Sequence, residues 1–162
     1  MTNNDILIRL RYALDIKDID MVDIFELGGM DVTKEDVQKM LTKIKDEEEP
    51  DDDVIVVSNQ ELEQFLNGLI TFKRGKQEPK PGQPERPPLS NEPPNNLLLK
   101  KVKIALKLTS EDIIQILDEV GVRITKGEVG ALLRKKGHKN YQECGDKYAR
   151  NFLKGLAVRY RG

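Results

Sequence analysis

Asn4–Lys43, NDILIRLRYALDIKDIDMVDIFELGGMDVTKEDVQKMLTK, runs without a gap against Asn96–Lys135, NLLLKKVKIALKLTSEDIIQILDEVGVRITKGEVGALLRK. After a five-residue difference in length the match resumes, with Phe65–Gly75 (FLNGLITFKRG) against Phe152–Gly162 (FLKGLAVRYRG). A unit of about 70 residues is present twice, and the fold is read from that unit outward. A unit of this size is near the limit at which a lone core is marginal. The expectation is therefore two repeats packed together, or two small domains that dimerise.

Each copy reads as four helices. The first carries a stripe of Leu7, Leu10 and Leu14, matched by Leu99, Val102 and Leu106. The second carries Met21, Ile24 and Phe25, matched by Ile113, Ile116 and Leu117, with Asp18 and Ser110 placed to cap it and Gly29 and Gly121 placed to end it. Thr125 with Glu128 is a capping box for the third helix, and Thr33 with Asp36 approximates one. Its stripe is Val37, Met40, Leu41 and Ile44, against Val129, Leu132 and Leu133. The fourth has the clearest period: Leu62, Phe65, Leu66, Leu69 and Ile70 behind a Ser58–Glu61 capping box, against Ala149, Phe152, Leu153, Leu156, Ala157 and Tyr160. Gly68 and Gly155 stand mid-helix in both copies, at a cost of about 1 kcal/mol each relative to Ala, which points to a close helix crossing. Val54–Val57 is too isolated for a strand. Val54 aligns with Tyr141 and Val57 with Cys144, so both pairs read as anchors of a loop before the fourth helix.

The expected fold is all-α, a tandem duplication of a four-helix repeat joined by a Pro-rich linker. Residues 1–75 are the acidic repeat, 76–95 the linker and 96–162 the basic repeat. The linker, KQEPKPGQPERPPLSNEPPN, carries seven prolines and cannot form a helix interior or a core strand. The repeats differ in charge: 9 Lys/Arg against 18 Asp/Glu in the first, 15 against 7 in the second. Drift of solvated faces, docking of one half on the other, head-to-tail association and an anionic partner all remain open. One cysteine excludes an internal disulfide and a cysteine-based zinc site. The longest apolar run, Val54–Val57, is far short of a membrane span. The reading is a soluble cytoplasmic protein with no membrane partner.

No catalytic, cofactor-binding or metal-ligating constellation is legible. His138 and Cys144 lie six residues apart, but Cys144 takes the place of Val57 and reads as a small buried side chain rather than a thiolate. The acidic run Asp46–Asp53 lacks the central glycine and terminal glutamate spacing of an EF-hand loop. Asp51, Asp52 and Asp53 align with His138, Lys139 and Asn140, so one loop carries opposite charge in the two copies, and a pseudo-twofold axis would let these loops face each other. The second and third helices of the basic copy resemble a helix-turn-helix. However, Val129 falls eight residues after Gly121, and the bases Arg134, Lys135, Lys136 and Lys139 cluster at the C-terminal end of the candidate recognition helix, whereas base contacts usually come from its N-terminal part.

The string His138–Leu153 (HKNYQECGDKYARNFL), with TKGEVGALLRK before it and NDILIRLRYAL and IFELGG in the first copy, resembles the bacterial domain-of-unknown-function family 1456. The resemblance covers both repeats and implies short cytoplasmic proteins with the same duplication. It implies no activity, cofactor or catalytic residue. The chain departs from the family pattern at DEEEPDDDVIVV, where an aromatic residue and a cysteine are expected before the fourth helix.

The expected function is a non-enzymatic bacterial binding or adaptor protein acting through protein–protein contacts or self-association. The alternative is DNA or RNA binding by the basic repeat, which would weaken steeply with salt. Both place the partner surface on Arg134, Lys135, Lys136, His138, Lys139, Asn140, Tyr141, Arg150 and Asn151. An enzyme would require His138, Asn140, Tyr141 and Arg150 to line one pocket.

Overall fold

The computed structural model describes residues 1–43, 53–75 and 88–161. Among them are eight helices and no strand. They are α1 (Asn3–Leu14), α2 (Asp18–Leu27), α3 (Lys34–Met40) and α4 (Asn59–Arg74), then α5 (Pro94–Ala105), α6 (Ser110–Asp118), α7 (Lys126–Leu133) and α8 (Asp146–Arg161). Ile44, Asp46–Asp52 and residues 76–87 of the linker lie outside the described residues, and with them the expectations about the acidic run.

Reciprocal capping boxes open five helices. Thr2–Asp5, Thr33–Asp36, Ser58–Glu61, Thr109–Asp112 and Thr125–Glu128 each exchange both hydrogen bonds. This corrects the caps expected of Asp18 and Ser110, which are the first residues of α2 and α6. Thr109 caps α6, and Lys17 stands at the cap of α2 without a side-chain bond. Asp18 pairs instead with Arg11 at 2.9 Å. Gly29 and Gly121, at φ 95° and 81°, turn the chain out of α2 and α6. Asp15 and Lys107 take left-handed conformations, φ 51° and 54°, at matching places after α1 and α5.

The glycine crossings are real in both copies. A Cβ on Gly68 would lie 1.9 Å from the carbonyl oxygen of Ile24, and one on Gly155 would lie 2.4 Å from that of Ile116. In the first copy α2 contributes a second glycine: a Cβ on Gly28 would lie 1.9 Å from the carbonyl oxygen of Gln64. Val120 takes that place in the second copy. Beside the first crossing, the rings of Phe25 and Phe65 meet at 4.8 Å, tilted by 53°.

The two copies pack within one chain, α1 against α8 and α4 against α5, and their buried side chains form one core. The N-termini of these four helices gather at one end. Asn3 Nδ2 donates to Asn59 Oδ1 at 2.8 Å, joining α1 to α4, and Asn95 Nδ2 donates to Asp146 Oδ1 at 2.9 Å, joining α5 to α8. The Met1 ammonium donates to Asp146 Oδ2 at 2.9 Å, joining α8 to α1. At the other end Arg74 donates to the Ile104 carbonyl at 3.3 Å and Arg161 to the Tyr12 carbonyl at 3.1 Å. These two bonds are one bond with the copies exchanged, because Arg74 aligns with Arg161 and Ile104 with Tyr12. The interface is thus pseudo-twofold and isologous.

Ion pairs cross between the copies in both directions, and among the described residues the Met1 ammonium on Asp146 is the one that sets a cation of the first copy on an acid of the second. Among the described residues, Arg161–Asp15 at 3.0 Å is the ion pair that sets a base of the second copy on an acid of the first. The expected stripes hold at their centres: Leu7, Leu10, Leu99, Val102, Phe65 and Phe152 are buried. They thin at the ends, where Leu14, Leu106, Leu41 and Leu133 are half-buried. Tyr160 is a correction, since it is exposed near the end of α8 rather than packed in its stripe.

Candidate functional site: a clamped cationic loop

Residues 134–145, between α7 and α8, carry most of the predicted site. α7 ends at Leu133, and Arg134 is already extended at φ −73°, ψ 157°. Arg134, Lys135, Lys136 and Lys139 are therefore off the helix, which corrects their placement at the end of a recognition helix. Gly137 at φ 99° allows a turn in which His138 N–H bonds the Lys135 carbonyl at 3.0 Å, and Tyr141 N–H bonds the His138 carbonyl at 3.0 Å. Every residue from Arg134 to Asn140 is exposed.

The loop is held from beneath by Asn96, a buried residue of α5. Its Nδ2 donates to the carbonyls of Leu132 and Gln142, each at 3.0 Å, and its Oδ1 accepts the Cys144 N–H at 2.8 Å. Asn4, buried in α1, does the same in the first copy. It donates to Met40 at 2.9 Å and Ile55 at 2.7 Å, and accepts from Val57 N–H at 2.9 Å. Backbone bonds repeat as well, Ile55 N–H to Lys39 at 3.2 Å and Gln142 N–H to Ala131 at 3.0 Å. Val57 and Cys144 are buried anchors as expected, while Val54 and Tyr141 are half-buried.

A second tie comes from Glu92, ahead of α5. Its Oε1 accepts the Lys136 N–H at 3.0 Å and the Lys100 ammonium at 2.5 Å. Burial pushes the Glu92 carboxyl up, but the Lys100 and Lys136 bonds outweigh it and hold the group below the usual value. Burial also pushes the Tyr141 phenol up, helped by the negative charges of Glu143 and Glu92, and its hydroxyl makes no hydrogen bond.

The chemistry of the remaining predicted residues is plain. Burial, with Asp146 nearby, pushes the Cys144 thiol up to about 12, and it donates weakly to the Gly145 carbonyl at 3.5 Å. It is therefore a protonated thiol at neutral pH. His138 is exposed, accepts the Asn140 N–H on Nδ1 at 3.1 Å and has Arg134, not an acid, at Nε2. Lys139 is exposed, and among the described residues it makes no ion pair. Arg150 and Asn151 are separate from the loop. Arg150 stands a turn into α8 beside Asp146, on the face that Arg161 turns toward α1, and Asn151 bonds the Lys147 carbonyl at 2.8 Å. A cleft of about 500 Å³ lies between α6 and α7, lined by Ile114, Asp118, Val122, Arg123 and Glu128 among others. None of His138, Asn140, Tyr141 and Arg150 lines it.

Comparison with known proteins meets the same two segments. The family described as "Protein of unknown function (DUF1456)" matches residues 3–75 and 95–162. The chain belongs to this family. A relative from Escherichia coli (strain K12), "Uncharacterized protein YehS", is 43% identical over 164 residues, covering 98% of this chain and 96% of its own. No solved structure matches. Each of the two matched segments contains one of the asparagines, Asn4 or Asn96, together with the loop it clamps.

Asn4 and Asn96 were missed as functional supports, although the repeat itself held the signal: both copies keep an Asn-Asn pair, Asn3–Asn4 and Asn95–Asn96, at one position. Glu92 carried no such signal. Among the described residues no group of His, Cys, Asp and Glu is arranged to hold a metal ion. No described helix is long and apolar enough to cross a membrane.

Proposed function

We propose that the chain is two copies of one four-helix unit joined by a proline-rich linker, and that it works in the cytoplasm as a non-enzymatic binding module. The working surface is the loop Arg134–Asn140 and the partner is a protein. The observation that carries this reading is the combination of exposure and restraint. Arg134, Lys135, Lys136, His138 and Lys139 all face solvent, while Asn96 and Glu92 bind the backbone beneath them. A loop ordered in advance loses less entropy on binding than one that must be ordered by its partner. Nucleic acid is the second reading, favoured by the four Lys/Arg charges of residues 134–140 without an acid among them. The lack of a helix beneath those charges weighs against groove reading.

The test compares the full-length protein with its Lys135→Glu/Lys136→Glu variant by cross-linking and co-purification at physiological salt. A stoichiometric protein partner lost from the variant supports the reading, and a partner set unchanged by the variant refutes it. Short duplex DNA or single-stranded RNA bound at physiological salt, and lost from the variant, would transfer the site to nucleic acid.

A further inference from the structure

The two seams between the copies are built alike and covered differently. On the α4–α5 seam, Glu63 and Asn67 share a helix face with Arg74, whose guanidinium reaches Ile104 of α5. Glu63 is 1% exposed because the chain just ahead of α5 lies across it. The Ser90 N–H reaches its Oε2 at 2.8 Å, the Ser90 hydroxyl reaches it at 2.9 Å, and the Asn91 N–H reaches Oε1 at 3.3 Å. The molecule thus shows how a polypeptide segment lies on this seam.

On the α1–α8 seam the aligned residues are Arg150 for Glu63, Lys154 for Asn67 and Arg9 for Lys101, and all three are exposed. Their helix spacing sets them on the flank where Arg161 meets Tyr12. The neighbouring acids are engaged elsewhere. Asp5 closes the capping box with Thr2, Asp146 holds the Met1 ammonium and Asn95, and Asp15 holds Arg161. Among the described residues Arg9 and Lys154 make no ion pair, and Arg150 has only the shared field of Asp146.

We propose that the α1–α8 seam is a docking site for an extended acidic segment of a partner protein, with its carboxylates on Arg150, Lys154 and Arg9. A peptide fits better than a nucleic acid for two reasons. The equivalent seam already carries polypeptide. In addition, Asp5, Asp15 and Asp146 interrupt the cations, which suits side chains of chosen spacing and opposes a phosphate at every step. α8 is about 24 Å long, a distance that about seven extended residues span. This surface stands or falls separately from the Arg134–Asn140 loop.

The test is fluorescence anisotropy of the full-length protein with a fluorescein-labelled peptide of about ten residues alternating glutamate and serine, at low and physiological salt. The expected result is saturable binding, weakened about tenfold by Arg150→Glu/Lys154→Glu and several-fold by Arg9→Glu on the facing helix. Lys135→Glu/Lys136→Glu, an equal change of charge elsewhere, should leave it within about twofold. Circular dichroism checks that the variants fold, and Arg9→Glu decides alone if the α8 double variant does not. No saturable binding at low salt, or equal loss in the loop variant, overturns the proposal. A single-stranded RNA of matched length that displaces the peptide at physiological salt also overturns it.

Discussion

Asn4 and Asn96 occupy one position in two copies of the same helix and make the same three hydrogen bonds, two donated by the amide nitrogen and one accepted by the amide oxygen. Each ties the loop ahead of a long helix to the core, and the bonds join segments up to 53 residues apart in the first copy. Removing the amide leaves a buried N–H and two carbonyls without partners, and each such group costs about 1–3 kcal/mol. Asn96→Ala should therefore lower stability by about 3 kcal/mol or more. Hydrogen exchange should show the released protection at Cys144 and Gln142 before the rest of the chain. A loss below about 1 kcal/mol would mean that the clamp is ornamental.

Cys144 reports on the same clamp. With its thiol near 12 and its side chain buried, it should react with a thiol reagent at pH 8 orders of magnitude more slowly than a free cysteine. Asn96→Ala should speed that reaction by opening the loop. Rapid modification of the native protein would contradict the burial.

The glycine crossings should differ in tolerance. Gly68→Ala drives a methyl group into the Ile24 carbonyl, and the backbone of α2 must shift to admit it. Gly155→Ala meets the Ile116 carbonyl at a slightly longer distance. Overpacking of this kind costs about 1–3 kcal/mol or more. Both variants should be destabilised in thermal melts, Gly68→Ala the more, and equal melting temperatures would remove the argument.

Lys107 is exposed and left-handed at φ 54°. A non-glycine residue there costs about 1–2 kcal/mol, partly offset in a glycine variant by the freer unfolded chain. Lys107→Gly should raise stability by about 0.5–1 kcal/mol in denaturant titration. Asp15 shares the conformation but pairs with Arg161, so Asp15→Gly should gain less.

Glu92 links stability to acid. Its folded carboxyl lies below the ordinary 4.5 despite burial, held by Lys100 and the Lys136 N–H. A depressed acid stabilises the fold above its unfolded value, and the gain is lost as pH falls from 4.5 through the depressed value. Glu92→Gln should flatten that acid limb while leaving the alkaline side unchanged. An identical limb in the variant would assign the acid sensitivity to other carboxylates, such as Asp146, which is held low by Asn95 and the Met1 ammonium.

The sequence by itself determined the duplication, the helix centres, three of the five capping boxes, the loop anchors and the glycine crossings. Each is a local pattern, and reading it twice separates a requirement from an accident: Gly68 and Gly155 coincide because both meet an isoleucine carbonyl. The cap of α2 and α6 was misplaced by one residue because Asp18 and Ser110 suit a cap as well as Thr109 does, and only the backbone decides where the helix starts. Tertiary structure alone decided that the copies pack within one chain, that Arg74 and Arg161 make exchanged bonds, and that Glu63 lies under Ser90 while its counterpart Arg150 stays in solvent. It also separated Arg150 and Asn151 from the cationic loop. These relationships join residues far apart in sequence, and no periodicity encodes them. They follow from which faces meet when two similar helical units bury one core together.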